Sequence, residues 1–141
     1  MAVEWDTSQA IAGLDALKQR VMAAAERAIV QGAQVMVETT KGTAPVLTGR
    51  LRASIYSFDK RREGYTWIIN VAPHAIYARQ RELGGPITAK GPYMLRNRET
   101  GEVFGHEVSQ EGSHYFSHGV EAATPRIADA FRQAMADAFG G

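Results

Sequence analysis

A long run of apolar and small side chains at helical spacing constrains the fold of this chain more than any other feature. The run spans residues 11–36, and within it Leu14, Val21 and Ala28 follow one another at intervals of seven. Side chains at that interval share one face of an α-helix. The sequence therefore predicts a long amphipathic helix near its start.

The predicted helix is longer than a domain of this size needs. Asp6 and Gln9 form a variant of the capping box that marks a helix start, and the helical pattern lasts through Lys41. A helix of that extent is about 50 Å long at about 1.5 Å per residue. Two interpretations remain open: part of the helix packs against a neighbouring subunit, or the helix breaks near Gly32 and packs wholly on its own sheet.

The residues that follow, 44–55, read APVLTGRLRASI and predict a joint between a helix and a strand. Pro45 cannot continue a helix, because it lacks an N–H and its ring clashes with the preceding turn. Gly49 can adopt a positive φ and forms a turn with Thr48. Polar and apolar residues then alternate from Arg50 onward, which is typical of a half-buried strand. We place the first strand at residues 50–58.

Strand patterns and turn residues alternate after this joint. The further strands are predicted at residues 65–72, 93–96, 102–108 and 114–120. Residues 65–72 are rich in β-branched and aromatic side chains and pair with the first strand through a hairpin loop at 59–64. The segments 93–96 and 102–108 form a second, short hairpin, and residues 75–83 fit either a short helix or an extended segment. Thr124 and Pro125 then predict the start of a C-terminal helix, as an N-cap and a first helical residue.

These elements predict a single α+β domain over residues 1–141. The long N-terminal helix and the C-terminal helix pack on a small, mainly antiparallel sheet, with an extended loop and hairpin region. A chain of 141 residues with 45% apolar side chains is large enough for one core. No apolar run approaches the about 18 residues of a membrane span, and the polar, acidic start is unlike a secretory signal.

Charge is distributed unevenly, although the formal net charge is only +1. Residues 41–98 hold 11 Lys and Arg against 3 Asp and Glu, a balance of +8, while the remainder holds 5 against 12, a balance of −7. Copies of such a chain can pair basic face to acidic face. The alternative is that both sets intermingle as solvated surfaces. The cluster Lys60-Arg61-Arg62 falls in the predicted hairpin loop, where it either keeps the loop soluble or contacts DNA phosphates or an acidic partner.

No constellation of catalytic residues stands out. The chain has no cysteine, no phosphate-binding glycine loop and no nucleophile elbow. His114 and His118 form H-x-x-x-H, a spacing that suits a metal on a helix but leaves the imidazoles too far apart on the strand predicted there. Glu82 follows Arg79 and Arg81, and we interpret it as an ion-pair partner at a subunit or loop contact rather than an acid–base group. The sequence thus predicts neither an enzyme nor a cofactor or metal site.

The alternative function is a nucleic-acid-binding module that uses the basic hairpin. Aromatic residues on the predicted strands lie among the basic residues of the middle segment, a mixture typical of sheet-type nucleic-acid binders. These residues are Tyr56, Phe58, Tyr65 and Trp67. The isoelectric point of about 8.1 is modest for a dedicated binder, however. The same aromatics would also fill the core of a small sheet.

In its order of segments the chain resembles the small bacteriophage tail-completion and head–tail joining (neck) proteins, a family like the minor tail proteins. The resembling strings are APVLTGRLRASI at 44–55, the strand at 64–71 and YARQRELGG at 77–85. They stand between the long N-terminal helix and a C-terminal helix at 124–139, as in that family. The resemblance extends over nearly the whole chain.

The resemblance implies a structural virion protein of the neck or tail end, assembled in the host cytoplasm. Its copies would form a ring, of six by the family's habit, between the head connector and the tail tube. DNA would pass through the channel without sequence-specific binding, and the partners would be further copies and other neck and tail proteins, with no membrane.

We assign residues to contacts on the basis of this resemblance. The predicted subunit or partner contacts are Pro45, Thr48, Gly49, Arg50, Arg52, Tyr77, Arg79, Arg81 and Glu82, and the predicted DNA-channel contacts are Lys60, Arg61 and Arg62. Arg50 and Arg52 are expected on the polar face of the first strand, directed toward an acidic surface of a neighbour.

Overall fold

A computed structural model of the chain describes residues 2–4, 6–46, 49–89, 91–92, 94–96 and 100–140. The elements, in chain order, are α1 (Ser8–Thr43), α2 (Arg50–Ala53), β1 (Ile55–Glu63), β2 (Thr66–Pro73), α3 (Ala78–Leu83), β3 (Gly84–Thr88), β4 (Leu95–Arg96), β5 (Val103–Gly105), β6 (Glu107–Glu111) and α4 (Tyr115–Gly140). The predicted α+β class is confirmed. Within the described residues the strands form three separate antiparallel pairs, β1–β2, β3–β6 and β4–β5, rather than one sheet.

Helix α1 is unbroken over 36 residues, which makes it about 54 Å long. The helix starts one residue later than the predicted capping box of Asp6 and Gln9, with Thr7 at the N-cap position. The Asp6 carboxylate still accepts a hydrogen bond from the Ser8 N–H at 2.9 Å. Gly32 does not break the helix. Instead, Ile127 of α4 lies only 3.0 Å from the position that a Cβ on Gly32 would occupy. Glycine at this position lets the two helices approach closely.

Helix α4 begins at Tyr115, and the predicted strand at 114–120 and helix start at Thr124 are both wrong. Pro125 lies inside the helix, where its missing N–H removes one internal hydrogen bond. The Thr124 hydroxyl donates to the Val120 carbonyl at 2.8 Å, as a threonine within a helix does. The helix can start ten residues earlier because its first N–H groups find an acceptor elsewhere in the chain, on Glu82.

The joint after α1 contains a helical turn where the sequence predicted a strand. Gly49 has a φ of 75°, as the turn prediction requires, but 50–53 form the short helix α2 and β1 starts only at Ile55. The prediction failed because Leu51 and Ile55, both buried, are four residues apart. That spacing fits one face of a helical turn as well as one face of a strand.

The β1–β2 hairpin turns at Gly64 and Tyr65, so only the last residue of the predicted loop at 59–64 lies in the turn. An irregularity in the pairing falls between Phe58 and Arg61, and Asp59 within it has a φ of 54°. The extra length carries the basic cluster 60–62 into β1, so its predicted place in a loop is wrong. Strand β2, at Thr66–Pro73, agrees with the prediction to within one residue.

The segments after the hairpin follow the sequence prediction in outline. Residues 75–83, left open between two conformations, contain the short helix α3. Strands β4 and β5 pair as predicted for the second hairpin, with residues 93 and 97–99 outside the described part. The end of that predicted strand belongs instead to β6, which pairs with β3 directly after α3.

Helix α4 packs antiparallel along α1, and the core lies where the two helices meet the joint. Thr43 Oγ1 donates to the Tyr115 carbonyl at 2.7 Å, and Gly119 and Ile127 of α4 follow against Thr40 and Gly32. The core cluster consists of Ala44, Leu51, Ile55, Ala78 and Tyr115. No helix of the described chain has the length and apolarity needed to cross a membrane.

Candidate functional site

The predicted contact residues of the joint divide into exposed and half-buried ones. Arg50 is exposed on α2, whereas Arg52 is half-buried and donates from Nη2 to the Ala44 carbonyl at 3.4 Å. Neither arginine lies on the polar face of a strand, because both belong to α2. Arg52 therefore ties the joint to the end of α1, and Arg50 is the one directed to solvent. Thr48 lies outside the described residues.

Glu82 fastens α3 to the start of α4. Its carboxylate accepts hydrogen bonds from the N–H of Phe116 at 2.8 Å and of Ser117 at 3.1 Å, and also from the Ser117 hydroxyl. These N–H groups belong to the first turn of a helix and have no partner within it. The backbone carbonyls of Arg81 and Glu82 accept from Ser113 and His114. Glu82 is thus engaged within its own chain as a helix cap.

The environment of Glu82 favours its charged form. Burial of the carboxyl raises its pKa, but the hydrogen bonds from Ser117 and Phe116, together with the nearby His114, outweigh this effect. The pKa of Glu82 is consequently lowered below the ordinary glutamate value. A carboxylate at the positive end of a helix macrodipole is also favourably placed.

The string 77–85 presents an open groove beside α3. The groove has a volume of about 410 Å³ and is lined by Ile76, Arg79, Gln80, Leu83 and Gly84. Tyr77 and Arg79 are exposed, and Arg81 is half-buried. Two large apolar side chains at this groove, Ile76 and Leu83, were not singled out from the sequence. Ile76 is fully exposed and Leu83 is 58% exposed.

The three basic residues predicted to contact DNA differ in their surroundings. Lys60 Nζ lies 2.5 Å from Glu26 Oε1 of α1, and Arg61 is paired with Asp59 and with Glu63. The hydrogen bond to Glu63 and the charge of Asp59 raise the pKa of Arg61 above its usual range. Arg62 instead packs 5.8 Å from the centre of the Trp67 ring. Within the described residues, Arg62 alone of the three lacks a carboxylate partner.

A second open cleft lies between the hairpin tip and α1. It is lined by Lys18, Gln19, Met22, Arg62, Gly64 and Tyr65 and has a volume of about 580 Å³. Lys18 Nζ is 5.5 Å from the centre of the exposed Tyr65 ring, an attractive arrangement of a cation over an aromatic face. The cleft is therefore bordered by two cations that are held by aromatic rings.

The first turns of α1 extend past this hairpin tip. Every residue from 8 to 16 is exposed, and the large side chains Ile11 and Leu14 are 56% and 66% exposed. We call residues 8–16 the overhang. Its apolar positions continue the periodic pattern seen in the sequence, but only the structure reveals that nothing in the described chain covers them.

The histidine pair lies at a helix start and not on a strand. His114 immediately precedes α4, and His118 lies in its first turn, with ring centres 6.4 Å apart. Among the described residues, no three His, Cys, Asp or Glu side chains gather in a way that could hold a metal ion.

The outer face of the hairpin carries a stacked pair of rings, Tyr56 and His74, with 3.9 Å between their centres.

Comparison with known proteins places most of these features in one family. A family model described as "Bacteriophage HK97-gp10, putative tail-component" matches residues 8–84, more than half of the 141 residues. The matched span runs from the overhang through the joint and the hairpin to the end of α3. No curated protein and no solved structure matches the chain.

Proposed function

The chain belongs to the HK97-gp10-like family of bacteriophage tail components, and from this premise we propose that it forms a ring between the head connector and the tail tube of a phage or prophage. The ring contains about six copies, which associate through a heterologous interface that closes on itself. Residues 1–141 act as one domain in this ring, at the neck or tail end of a virion assembled in the host cytoplasm.

The observation that carries this proposal is the position of the exposed contact surfaces within the family match. The overhang, the joint and α3 all fall within residues 8–84. A surface used for assembly has to remain exposed in the single chain. The proposed ring extends the DNA channel and binds other neck and tail proteins at its two faces.

We assign the predicted contact residues different roles in the ring. Arg50, Tyr77 and Arg79 reach a neighbouring subunit or partner, since all three are exposed. Pro45 and Gly49 set the course of the chain through the joint, and Thr48 belongs to the same segment. Arg81 stands beside these contacts, while Arg52 and Glu82 hold the surface in shape through their bonds to Ala44 and to α4. Assembly on this scheme requires association and no chemical step.

DNA passes through the channel of this ring without sequence-specific binding. Of the predicted channel contacts, Lys60 and Arg61 already form ion pairs with acidic neighbours. Arg62 has no such partner among the described residues, so its positive charge is the one available to DNA phosphates. An Arg62→Glu variant should therefore affect DNA passage more than Lys60→Glu does. Infectivity of particles carrying each variant, at equal copy number, measures the difference, and equal infectivity would contradict it.

The alternative function, nucleic-acid binding by the free protein, draws support from the cleft between Lys18 and Arg62. A gel shift with short DNA at several salt concentrations distinguishes the two functions. Phosphate-driven binding weakens steeply as salt rises, and Lys18→Glu with Arg62→Glu would abolish it. A protein that only assembles gives no shift even at low salt.

Quantitative mass spectrometry of purified particles tests the proposed function. The copy number of this chain is scaled to the major capsid protein. We expect a value of about six or about twelve copies per particle, which one or two of the proposed six-membered rings would give. Absence from intact particles would overturn the assignment to a virion ring. Arg50→Glu should reduce incorporation, and Arg132→Glu, an exposed arginine of α4 that pairs with Asp129, serves as the matched control.

A further inference from the structure

Helix α1 is longer than the two elements that flank it. The hairpin tip reaches α1 at Lys18, where the Tyr65 ring lies. Helix α4 runs antiparallel to α1, borders a groove with Arg27 at Asp137, and continues three residues further to its end at Gly140. The overhang of nine residues extends beyond both, for about 13 Å. Its apolar side chains are not used in the fold of the described chain.

One face of the overhang combines apolar and acidic side chains. Ile11, Leu14 and Asp15 are spaced i, i+3 and i+4, so they are neighbours on the helix surface. All three are exposed. The charged residues up to position 17 are Glu4, Asp6 and Asp15, and all of them are acidic. A partner surface for this face should be apolar and basic.

The groove beside α3 has these properties. Ile76 and Leu83 provide exposed aliphatic surface, and Arg79 lies four residues before Leu83 on the same face of α3. Glu82, the one acidic residue of α3, is turned toward the first turn of α4 and accepts its N–H groups. The charged group lining the groove is consequently the Arg79 guanidinium.

The groove and the overhang of one chain lie at opposite ends of α1. Glu82 binds the start of α4, and Tyr115 at that start contacts Thr43 at the C-terminal end of α1. From Leu14 to Thr43 the helix extends for about 40 Å. The groove is therefore out of reach of its own overhang, so an overhang that fills it has to come from another copy.

We propose that the overhang of one copy docks into the α3 groove of the next copy. Ile11 and Leu14 pack against Ile76 and Leu83, and Asp15 pairs with Arg79. The contact joins two different surfaces, so successive copies associate head to tail and close into a ring where the rotation allows it. This inference rests on the proposed ring and names the surfaces that form it.

Site-directed cross-linking tests the docking, since the chain contains no cysteine and every introduced thiol is unique. Leu14→Cys protein is mixed with Ile76→Cys protein and treated with a short bismaleimide. We expect a cross-linked dimer in the mixture and in neither protein alone, and a ladder from a chain that carries both changes. Glu121→Cys, exposed on α4, replaces Ile76→Cys as the control. Cross-linking no stronger than with this control overturns the docking.

A charge exchange tests the polar part of the contact. Asp15→Arg and Arg79→Asp should each lower the cross-linking yield about tenfold, because each places like charges together. Combining both changes in one chain should restore the yield, which a merely structural effect of either change would not do. Both residues are exposed, so the melting temperature should stay unchanged. A double variant as weak as the single ones contradicts the pairing.

The outcomes separate this docking from the proposed function. If copies occur in particles but Leu14→Cys and Ile76→Cys cross-link no better than the control, the docking is wrong and the virion assignment stands. If the pair cross-links specifically but particles lack the chain, the head-to-tail contact stands and the virion assignment fails.

Discussion

The two ends of α1 have similar apolar patterns but different surroundings. At the C-terminal end, Thr40 and Tyr115 are almost completely buried, and Leu51 and Ile55 of the joint complete the core. At the N-terminal end, Ile11 and Leu14 face solvent. The difference shows that helical periodicity predicts which face is apolar and not whether that face is used within the chain. One end stabilises the fold, and the other is available for assembly.

The largest expected difference in stability is between substitutions of two leucines, one near each end of α1. Leu51→Ala should lower the free energy of unfolding by about 2–5 kcal/mol, because it leaves a cavity in the core. Leu14→Ala should change it by less than about 0.5 kcal/mol, since Leu14 is 66% exposed. Urea denaturation of both variants measures the difference. Equal losses would show that the overhang packs within the single chain.

Two helical glycines give a second comparison, with effects of opposite sign. A Cβ at Gly119 would lie 2.7 Å from Thr40 Cα and closer still to Thr40 Cγ2, so Gly119→Ala should cost about 3 kcal/mol through overpacking. At Gly13 a Cβ meets nothing within 4 Å, and Gly13→Ala should stabilise the helix by about 0.5 kcal/mol. Thermal unfolding measures both effects: the melting temperature should fall for Gly119→Ala and rise for Gly13→Ala. An unchanged melting temperature for Gly119→Ala would contradict the close packing of α1 on α4.

At the buried C-terminal end of α1, Glu82→Gln should lower the free energy of unfolding by about 1 kcal/mol, because it removes the charged cap of α4. The pKa of Glu82 is lowered in the folded chain, so the stabilisation is complete above the unfolded pKa of about 4.3. It is lost as pH falls through the folded pKa. The stability gap between wild type and variant should therefore close at low pH. Glu121→Gln, exposed on the same α4, is the control, and a gap independent of pH would exclude a charged cap.

Within the buried end, Tyr115→Phe should have the smallest effect, a change of no more than about 1 kcal/mol in the free energy of unfolding at pH 7. The Tyr115 hydroxyl is buried without a hydrogen-bond partner among the described residues. Burial raises the pKa of Tyr115 to about 12, so wild-type stability should fall between about pH 10, the unfolded value, and pH 12. The variant should lack this fall in alkaline unfolding experiments. A large loss at pH 7 would reveal a partner for the hydroxyl.

The sequence predicted those elements that depend on local pattern. The periodicity of α1, the β-branched run of β2 and the positive φ of Gly49 are properties of neighbouring residues. The start of α4 could not be predicted in this way, because its cap, Glu82, precedes Phe116 by 34 residues. The alternation of polar and apolar residues at 50–55 predicted a strand, which was wrong because the spacing of Leu51 and Ile55 fits a helical turn equally well.

The candidate site was predictable only in part for the same reason. The string 77–85 was selected from the sequence, but the exposure of Ile76 and Leu83 and the inward turn of Glu82 are consequences of tertiary packing. The basic cluster 60–62 was read as a loop, since the pairing irregularity after Phe58 has no simple sequence signal. Glu26, which neutralises Lys60, lies 34 residues away on α1.

Copy numbers of the wild-type chain and of Leu14→Asp in purified particles test the central claim most directly. The claim is that one end of α1 folds the chain and the other assembles it. We predict about six or about twelve wild-type copies per particle, and a Leu14→Asp chain that keeps the wild-type melting temperature yet is missing from particles. Leu14→Asp present at the wild-type copy number would contradict the account.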